Sequence, residues 1–132
     1  MRRFTIISAL IAAIAMVAAI APVASASGSG TTRTISLHGS VSFPSATGKA
    51  VYKVKGGERE LQIEVEHVRV LAGKQVHVFV NGALLATPRV NSLGAINVNR
   101  NTDAGQRVPV ISNGSTVRVR TLGGTMIASG TF

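Results

Sequence analysis

The stretch Lys49–Glu66, KAVYKVKGGERELQIEVE, decides the fold of this chain. Two runs that alternate apolar with polar or charged residues flank Gly56-Gly57, and a period of two is the pattern of a half-buried β-strand. A two-residue turn at the glycines sets charged partners on one face and apolar partners on the other. The predicted pairs are Lys49–Glu64, Lys53–Glu60, Lys55–Glu58, Ala50–Ile63 and Tyr52–Leu61. A slip by one residue would destroy both matches, so the hairpin is predicted in this register.

The same register decides how the glutamates are interpreted. Four of the five acidic residues lie on the second strand of this hairpin: Glu58, Glu60, Glu64 and Glu66. A divalent-cation site needs several converging oxygen atoms, usually from a loop. Here three of the carboxylates instead face a lysine on a flat strand. We interpret them as a neutralised, exposed face, and we predict no metal site.

The period of two continues through most of the chain from Arg33 onwards, and no window shows the i, i+3, i+4 pattern of an amphipathic helix. The first strand is expected to extend through Phe43 and to end at Pro44. The parity of the apolar positions shifts after Val65, which predicts a β-bulge at Glu66-His67.

Asn81-Gly82 predicts a second hairpin, because a type I′ turn needs a positive φ at both central residues. The predicted pairs are Val80–Ala83, Phe79–Leu84 and Val78–Leu85. Both faces of these strands are largely apolar, so we expect them to be central or covered on both sides. The four aromatic residues after the N-terminal segment are all expected in the core: Phe43, Tyr52, Phe79 and Phe132.

The C-terminal part predicts a long loop at Asn99–Gln106 and a last hairpin over Thr116–Phe132. In that hairpin Val117, Val119, Ala128 and Phe132 are expected to face inward, with Arg118 and Arg120 on the opposite face. Seven or eight short strands then predict an all-β domain over residues 33–132. The predicted fold is a small antiparallel β-sandwich of immunoglobulin-like size, and the alternative is a small β-barrel.

The N-terminus predicts export. Arg2 and Arg3 precede an apolar run, Phe4–Ala21, and Ala24-Ser25-Ala26 supplies small residues at a cleavage site. We therefore predict a signal peptide over residues 1–26, cleaved after Ala26, and a flexible leader over residues 27–32. The alternative is a retained membrane anchor, because about 18 apolar residues approach the lower limit for a membrane span.

The protein is accordingly expected to be secreted, extracellular or periplasmic, with no membrane span after cleavage. The sequence contains no cysteine, which excludes disulfides and lipid attachment through cysteine. An exported domain without disulfides is more typical of bacteria.

Few residues are suited to catalysis. The chain has three histidines, His38, His67 and His77, and one aspartate, Asp103. No G-x-S-x-G motif marks a nucleophile, and the histidines lack the H-x-H or H-x-x-x-H spacing of a zinc site. We predict a non-enzymatic protein without cofactors, and a small hydrolase is the least favoured alternative.

The charge points to anionic partners. Without Arg2 and Arg3, 12 lysines and arginines oppose 5 acids, a net charge of +7. Among the cations that the first hairpin does not pair, those from Arg69 onwards are mostly arginines: Arg69, Lys74, Arg89, Arg100, Arg107, Arg118 and Arg120. Arg118 and Arg120 lie on the same side of one strand. If neighbouring strands bring Arg69 or Arg107 beside them, the result is a polyanion-binding face, and the candidate binding residues are Arg69, Arg107, Arg118 and Arg120.

Two functions follow as hypotheses. The first is a secreted, non-enzymatic β-sandwich module with a structural or adhesive role at the cell envelope or in the extracellular matrix. The second is a binding protein for anionic polymers, such as a wall polymer, an acidic glycan or extracellular DNA, through the four arginines. Envelope polymers or other proteins are the expected partners. Specific nucleic-acid recognition is not expected, because single-strand binders expose aromatic residues. The sequence leaves the oligomeric state open.

Overall fold

The computed structural model of the protein describes residues 30–132, so the predicted signal peptide lies outside the described residues. Eight antiparallel strands form one sheet in the order β5-β4-β7-β8-β1-β2-β3-β6. The strands are β1 (Gly30–Gly39), β2 (Thr47–Lys55), β3 (Glu58–Glu66), β4 (Val76–Val80), β5 (Ala83–Ala86), β6 (Ile96–Asn101), β7 (Thr116–Thr121) and β8 (Met126–Thr131). Helix is limited to two 3₁₀ turns in this range, at Arg69–Leu71 and Thr102–Ala104. The all-β prediction is confirmed.

The sheet curls into a nearly closed, barrel-like shape whose two edges are β5 and β6. Its two halves, β5-β4-β7-β8 and β1-β2-β3-β6, are joined where β1 pairs with β8 at His38–Ser129 and Gly39–Ala128. One apolar core fills the interior, with Leu37, Leu61, Ile63, Val65, Val78, Val119 and Ile127 among its fully buried side chains. Burial of these side chains on the concave side leaves the alternate residues of each strand on the outer surface.

The first hairpin has the predicted register. All five pairs, from Lys49–Glu64 to Lys55–Glu58 on the outer face and Ala50–Ile63 and Tyr52–Leu61 on the inner face, occur in β2 and β3. The inner-face residues are at most 5 % exposed. The match of charge and apolar pattern was therefore sufficient to fix this part of the sheet.

The first strand lies earlier in the chain than predicted. β1 begins at Gly30, within the predicted leader, and Gly30–Thr32 pair with Lys53–Lys55 of β2. It ends at Gly39, so the predicted extension to Phe43 is wrong. A Cβ atom at Gly39 would collide with the carbonyl oxygen of Phe43, because the chain folds back there. Val41 consequently lies on the loop and is 98 % exposed.

The second hairpin is confirmed at its turn and corrected further along. Asn81 and Gly82 both have positive φ, and the pairs Val80–Ala83 and Phe79–Leu84 are present. Val78 pairs with Ala86 and not with Leu85, because a bulge follows the second pair. β5 is an edge strand with Ala83 and Leu84 exposed, so the expectation of two central or covered strands is wrong for it.

The outward side of β4 also differs from expectation. Phe79 lies between the buried residues Val78 and Val80 and faces outward, half-buried, so not every aromatic residue is in the core. The second apolar face of this hairpin is thus part of the outer surface. Period-two patterns mark which residues share a face, but they do not say which of two apolar faces is covered.

Two further predictions concern irregular segments. No bulge forms at Glu66-His67, because β3 ends at Glu66 and His67 adopts a left-handed conformation with φ 68° before the 3₁₀ turn. The predicted loop at Asn99–Gln106 is shorter, since Asn99–Asn101 belong to β6 and a 3₁₀ turn follows. Asn101 caps that turn by accepting a hydrogen bond from the amide of Asp103.

Antiparallel connectivity sends four connections to one end of the sheet. We call this the loop end; it consists of residues 40–46, 67–75, 87–95 and 122–125. The opposite end carries the tight turns at residues 56–57 and 81–82 and the segment 102–115, in which Val108 and Ile111 are buried.

Candidate functional site

Two of the predicted arginines lie side by side on the outer surface. Arg118 and Arg120 alternate along β7 with the buried residues Val117 and Val119. Directly opposite residues of an antiparallel pair point to the same face. On β4, Phe79 is opposite Arg118 and His77 is opposite Arg120. We call these four residues the arginine face.

Neighbouring groups hold the arginine face in place. The ring of His77 meets the ring of Phe79 edge-on, with 5.8 Å between centroids, and its Nδ1 lies 3.2 Å from the hydroxyl of Thr87. Arg120 is half-buried and donates a hydrogen bond of 3.0 Å to the carbonyl oxygen of Gly124. Arg118 is exposed to solvent. The face therefore presents guanidinium donors beside an ordered aromatic pair.

The acidic residues lie away from the arginine face. Of the five acids, four are on β3 and the fifth, Asp103, follows β6. Among the described strands, β1, β4, β5, β7 and β8 carry no acidic residue. The positive field of Arg118 and Arg120 is thus not cancelled on their own half of the sheet.

A row of asparagines on β6 binds the glutamates of β3. Asn101 donates to Glu58 at 2.8 Å, Asn99 to Glu60 at 3.2 Å, and a longer contact of 3.5 Å joins the amide of Asn97 to Glu64. Sequence analysis missed these residues because it assigned Asn99 to a loop. The alternation in INVNRN, residues 96–101, was the signal that could have found them. The row fixes the carboxylates away from the arginine face.

Asp103 lies beside Glu58 at the end of this row. Partial desolvation raises the pKa of Asp103, and the negative charge of Glu58 and a hydrogen bond to it raise that pKa further. The protonated form of Asp103 is therefore favoured relative to that of a free aspartate.

The other two predicted arginines are not on the arginine face. Arg107 lines a groove of about 200 Å³ at the gap between β5 and β6, together with Arg100 and Leu84. Leu84 is the partner of Phe79, so this groove adjoins the arginine face at the edge of the sheet. Arg69 instead sits in the 3₁₀ turn of the loop end, packed against Gly94.

The histidines and the aspartate do not form a catalytic group. His38, His67 and His77 lie at or near the loop end, whereas Asp103 lies at the opposite end. The hydroxyl of Thr47 lies 3.0 Å from Nδ1 of His67, and both groups are exposed. Within residues 30–132 no three histidine, aspartate or glutamate side chains are grouped to hold a metal ion.

Comparisons with protein families, with curated proteins and with solved structures found no match. Residues 30–132 contain no helix of the length and apolar character needed to cross a bilayer. The arrangement of charged and aromatic side chains is therefore the basis for a functional proposal.

Proposed function

We propose that the protein is a secreted, non-enzymatic β-module that attaches to anionic polymers of the cell envelope or matrix through the arginine face. The observation that carries the proposal is the placement of Arg118 and Arg120 on one outer surface, in a half-sheet without acidic residues. The thin junction between β1 and β8 supports regarding the two half-sheets as the layers of a small sandwich. Secretion rests on the signal-peptide pattern of residues 1–26.

The chemistry of the face suits phosphate, sulfate or carboxylate groups. A guanidinium offers a planar pair of donors that matches these oxyanions, and such charge-assisted bonds are stronger than neutral ones. Residues i and i+2 of a strand are about 7 Å apart. A flexible polymer with anionic groups at about that interval can occupy both arginines together.

The surroundings favour a polymer over a small anion. No closed cavity surrounds Arg118, which is exposed on an open strand face. The half-buried ring of Phe79 beside it offers an apolar surface to the polymer backbone. Arg107 at the edge groove extends the positive charge beyond β5 in the same direction. A flexible chain that runs along β7 past Arg120 and Arg118 and then crosses β4 and β5 would meet all of these groups.

The salt dependence of binding tests the proposal. The dissociation constant of long-chain polyphosphate, measured by titration calorimetry, is expected to rise at least about tenfold between low and moderate ionic strength, because bound cations are released from the polymer. Neutral dextran is the control and is expected not to bind. An affinity for polyphosphate that does not change with salt, or no binding at low salt, would contradict the proposal.

A further inference from the structure

The loop end exposes one large apolar side chain on each of its four connections. These are Val41, 98 % exposed, Val70, 76 %, Leu93, 72 %, and Leu122, 55 %. Single exposed apolar residues are common on protein surfaces, but their concentration at one end is not. Each side chain belongs to a different connection, and the two grooves found at this end are each lined by only one of the four, Val70 in one and Leu122 in the other.

Backbone hydrogen bonds join the 67–75 and 87–95 connections to each other and join the 40–46 connection to β8. The amide of Val68 donates to Gly94 at 2.9 Å, and the amide of Gly73 donates to Val90 at 2.8 Å. Across the sheet, the amide of Ser40 donates to the carbonyl oxygen of Ile127 at 2.9 Å. The 67–75 connection lies between the others, because residues 42–45 border Arg69 and Val70, and Leu122 borders Leu71. The apolar tips are therefore held beside one another.

The charge of the loop end has one sign. The four connections carry Arg69, Lys74 and Arg89 and no acidic residue. Glu66, the nearest acid along the chain, belongs to the end of β3. A rigid group of protruding apolar side chains with a cationic surround is complementary to an anionic lipid surface.

We propose that the loop end docks on anionic lipid bilayers. Val41, Val70 and Leu93 enter the interfacial region, while Arg69, Lys74 and Arg89 contact the headgroups. A protein partner would need a contiguous apolar surface or groove, whereas separate tips on four connections suit penetration into a fluid interface. This inference goes beyond the proposed polymer binding, since it uses a different end of the sheet and none of the residues of the arginine face.

The absence of cysteine from the sequence allows a local test on the full chain. A single cysteine introduced as Val41→Cys carries an environment-sensitive fluorophore, and vesicles contain equal parts phosphatidylglycerol and phosphatidylcholine. The emission is expected to shift to the blue and to be quenched by brominated lipids. Val110→Cys is the matched control, because Val110 is 65 % exposed on the segment at the opposite end. Its label is expected not to respond, even if the N-terminal apolar run tethers the chain to the vesicle.

The test is completed by measuring how the affinity for vesicles depends on single apolar side chains and on the charge of the lipid. In the labelled Val41→Cys protein, Leu93→Ser is expected to lower the apparent vesicle affinity about tenfold, since one apolar side chain no longer enters the interface. Leu84→Ser, an equivalent change on the edge strand β5, is expected to leave it unchanged. Vesicles of phosphatidylcholine alone are expected to give a much weaker response.

Three results would overturn the inference: no emission shift at position 41, equal shifts at positions 41 and 110, or a concentration-dependent shift without lipid, which would indicate a second copy of the chain on this surface. The variant Arg118→Gln/Arg120→Gln separates this inference from the polymer proposal. It is expected to leave the response of the label to vesicles unchanged. Loss of the vesicle response in that variant would show that the arginine face, and not the loop end, contacts the lipid.

Discussion

Replacing both strand arginines, Arg118→Gln with Arg120→Gln, is expected to lower the affinity for polyphosphate about a hundredfold at low ionic strength. Each guanidinium contact with an oxyanion is a charge-assisted hydrogen bond that contributes about 1.5–3 kcal/mol. Loss of each contact therefore lowers the affinity at least about tenfold, and loss of both lowers it about a hundredfold. Titration calorimetry of the variant and the unaltered chain measures the difference.

The first hairpin offers a matched control for this result. Lys53 and Lys55 are also two residues apart and exposed on an outer strand face, so Lys53→Gln with Lys55→Gln removes the same charge. They are opposite Glu60 and Glu58, whose negative charges weaken the field there. We expect less than about threefold loss of affinity, a change of less than one kcal/mol. Equal losses in the two double variants would mean that net charge alone drives binding, against the proposed site.

Gly94→Ala is expected to lower the free energy of unfolding by about 3 kcal/mol, because two costs coincide at this position. Gly94 has φ 83°, a left-handed conformation that an alanine adopts with strain. A Cβ atom there would also lie against the backbone nitrogen and Cα of Arg69, well inside contact distance. The 3₁₀ turn must move to make room, and urea denaturation measures the loss of stability.

Gly73→Ala separates the two costs. Gly73 has the same φ of 83°, but a Cβ atom there would meet nothing within 4 Å. We expect Gly73→Ala to lower the free energy of unfolding by about 1 kcal/mol, because only the backbone is strained there. If the two variants were equally stable, the packing of Gly94 on Arg69 described above would be incorrect. Because the 3₁₀ turn carries Val70, Gly94→Ala should also weaken the response of the labelled loop end to anionic vesicles.

The local sequence pattern was sufficient to predict the structure where two independent signals agreed. The register of β2 and β3 could be predicted because charge pairing and apolar pairing demand the same alignment. The turn at Asn81-Gly82 could be predicted because its backbone requires residues that tolerate positive φ. The inward positions of Val117 and Val119 followed from alternation, which also placed Arg118 and Arg120 outside.

Non-local pairing was not predictable from these patterns. The order β5-β4-β7-β8-β1 brings strands together that are far apart in sequence, and it decides that Phe79 faces Arg118. The same pairing makes β5 an edge strand, which its apolar sequence does not suggest. Arg69 and Arg107 lie on irregular segments at the two ends of the sheet. The period-two pattern of a strand does not predict where such residues lie.

The exposed residues of the loop end could not be predicted from alternation either. Val41 continues the parity of Ile35 and Leu37, so the pattern assigned it to the core side of a strand. The strand stops at Gly39 because the following residues fold back against it, a tertiary contact that alternation does not record. This is why the apolar character of the loop end emerged only from the fold.

Mapping of amide chemical shifts during a polyphosphate titration tests the central claim most directly, since it locates the bound polymer on the sheet. The account predicts that the largest shifts occur at His77, Phe79, Arg118 and Arg120, on β4 and β7. Residues of β2 and β3 such as Lys53 and Glu60 are expected to shift little. Shifts concentrated on β2 and β3, or spread evenly over all exposed lysines and arginines, would contradict binding at the arginine face.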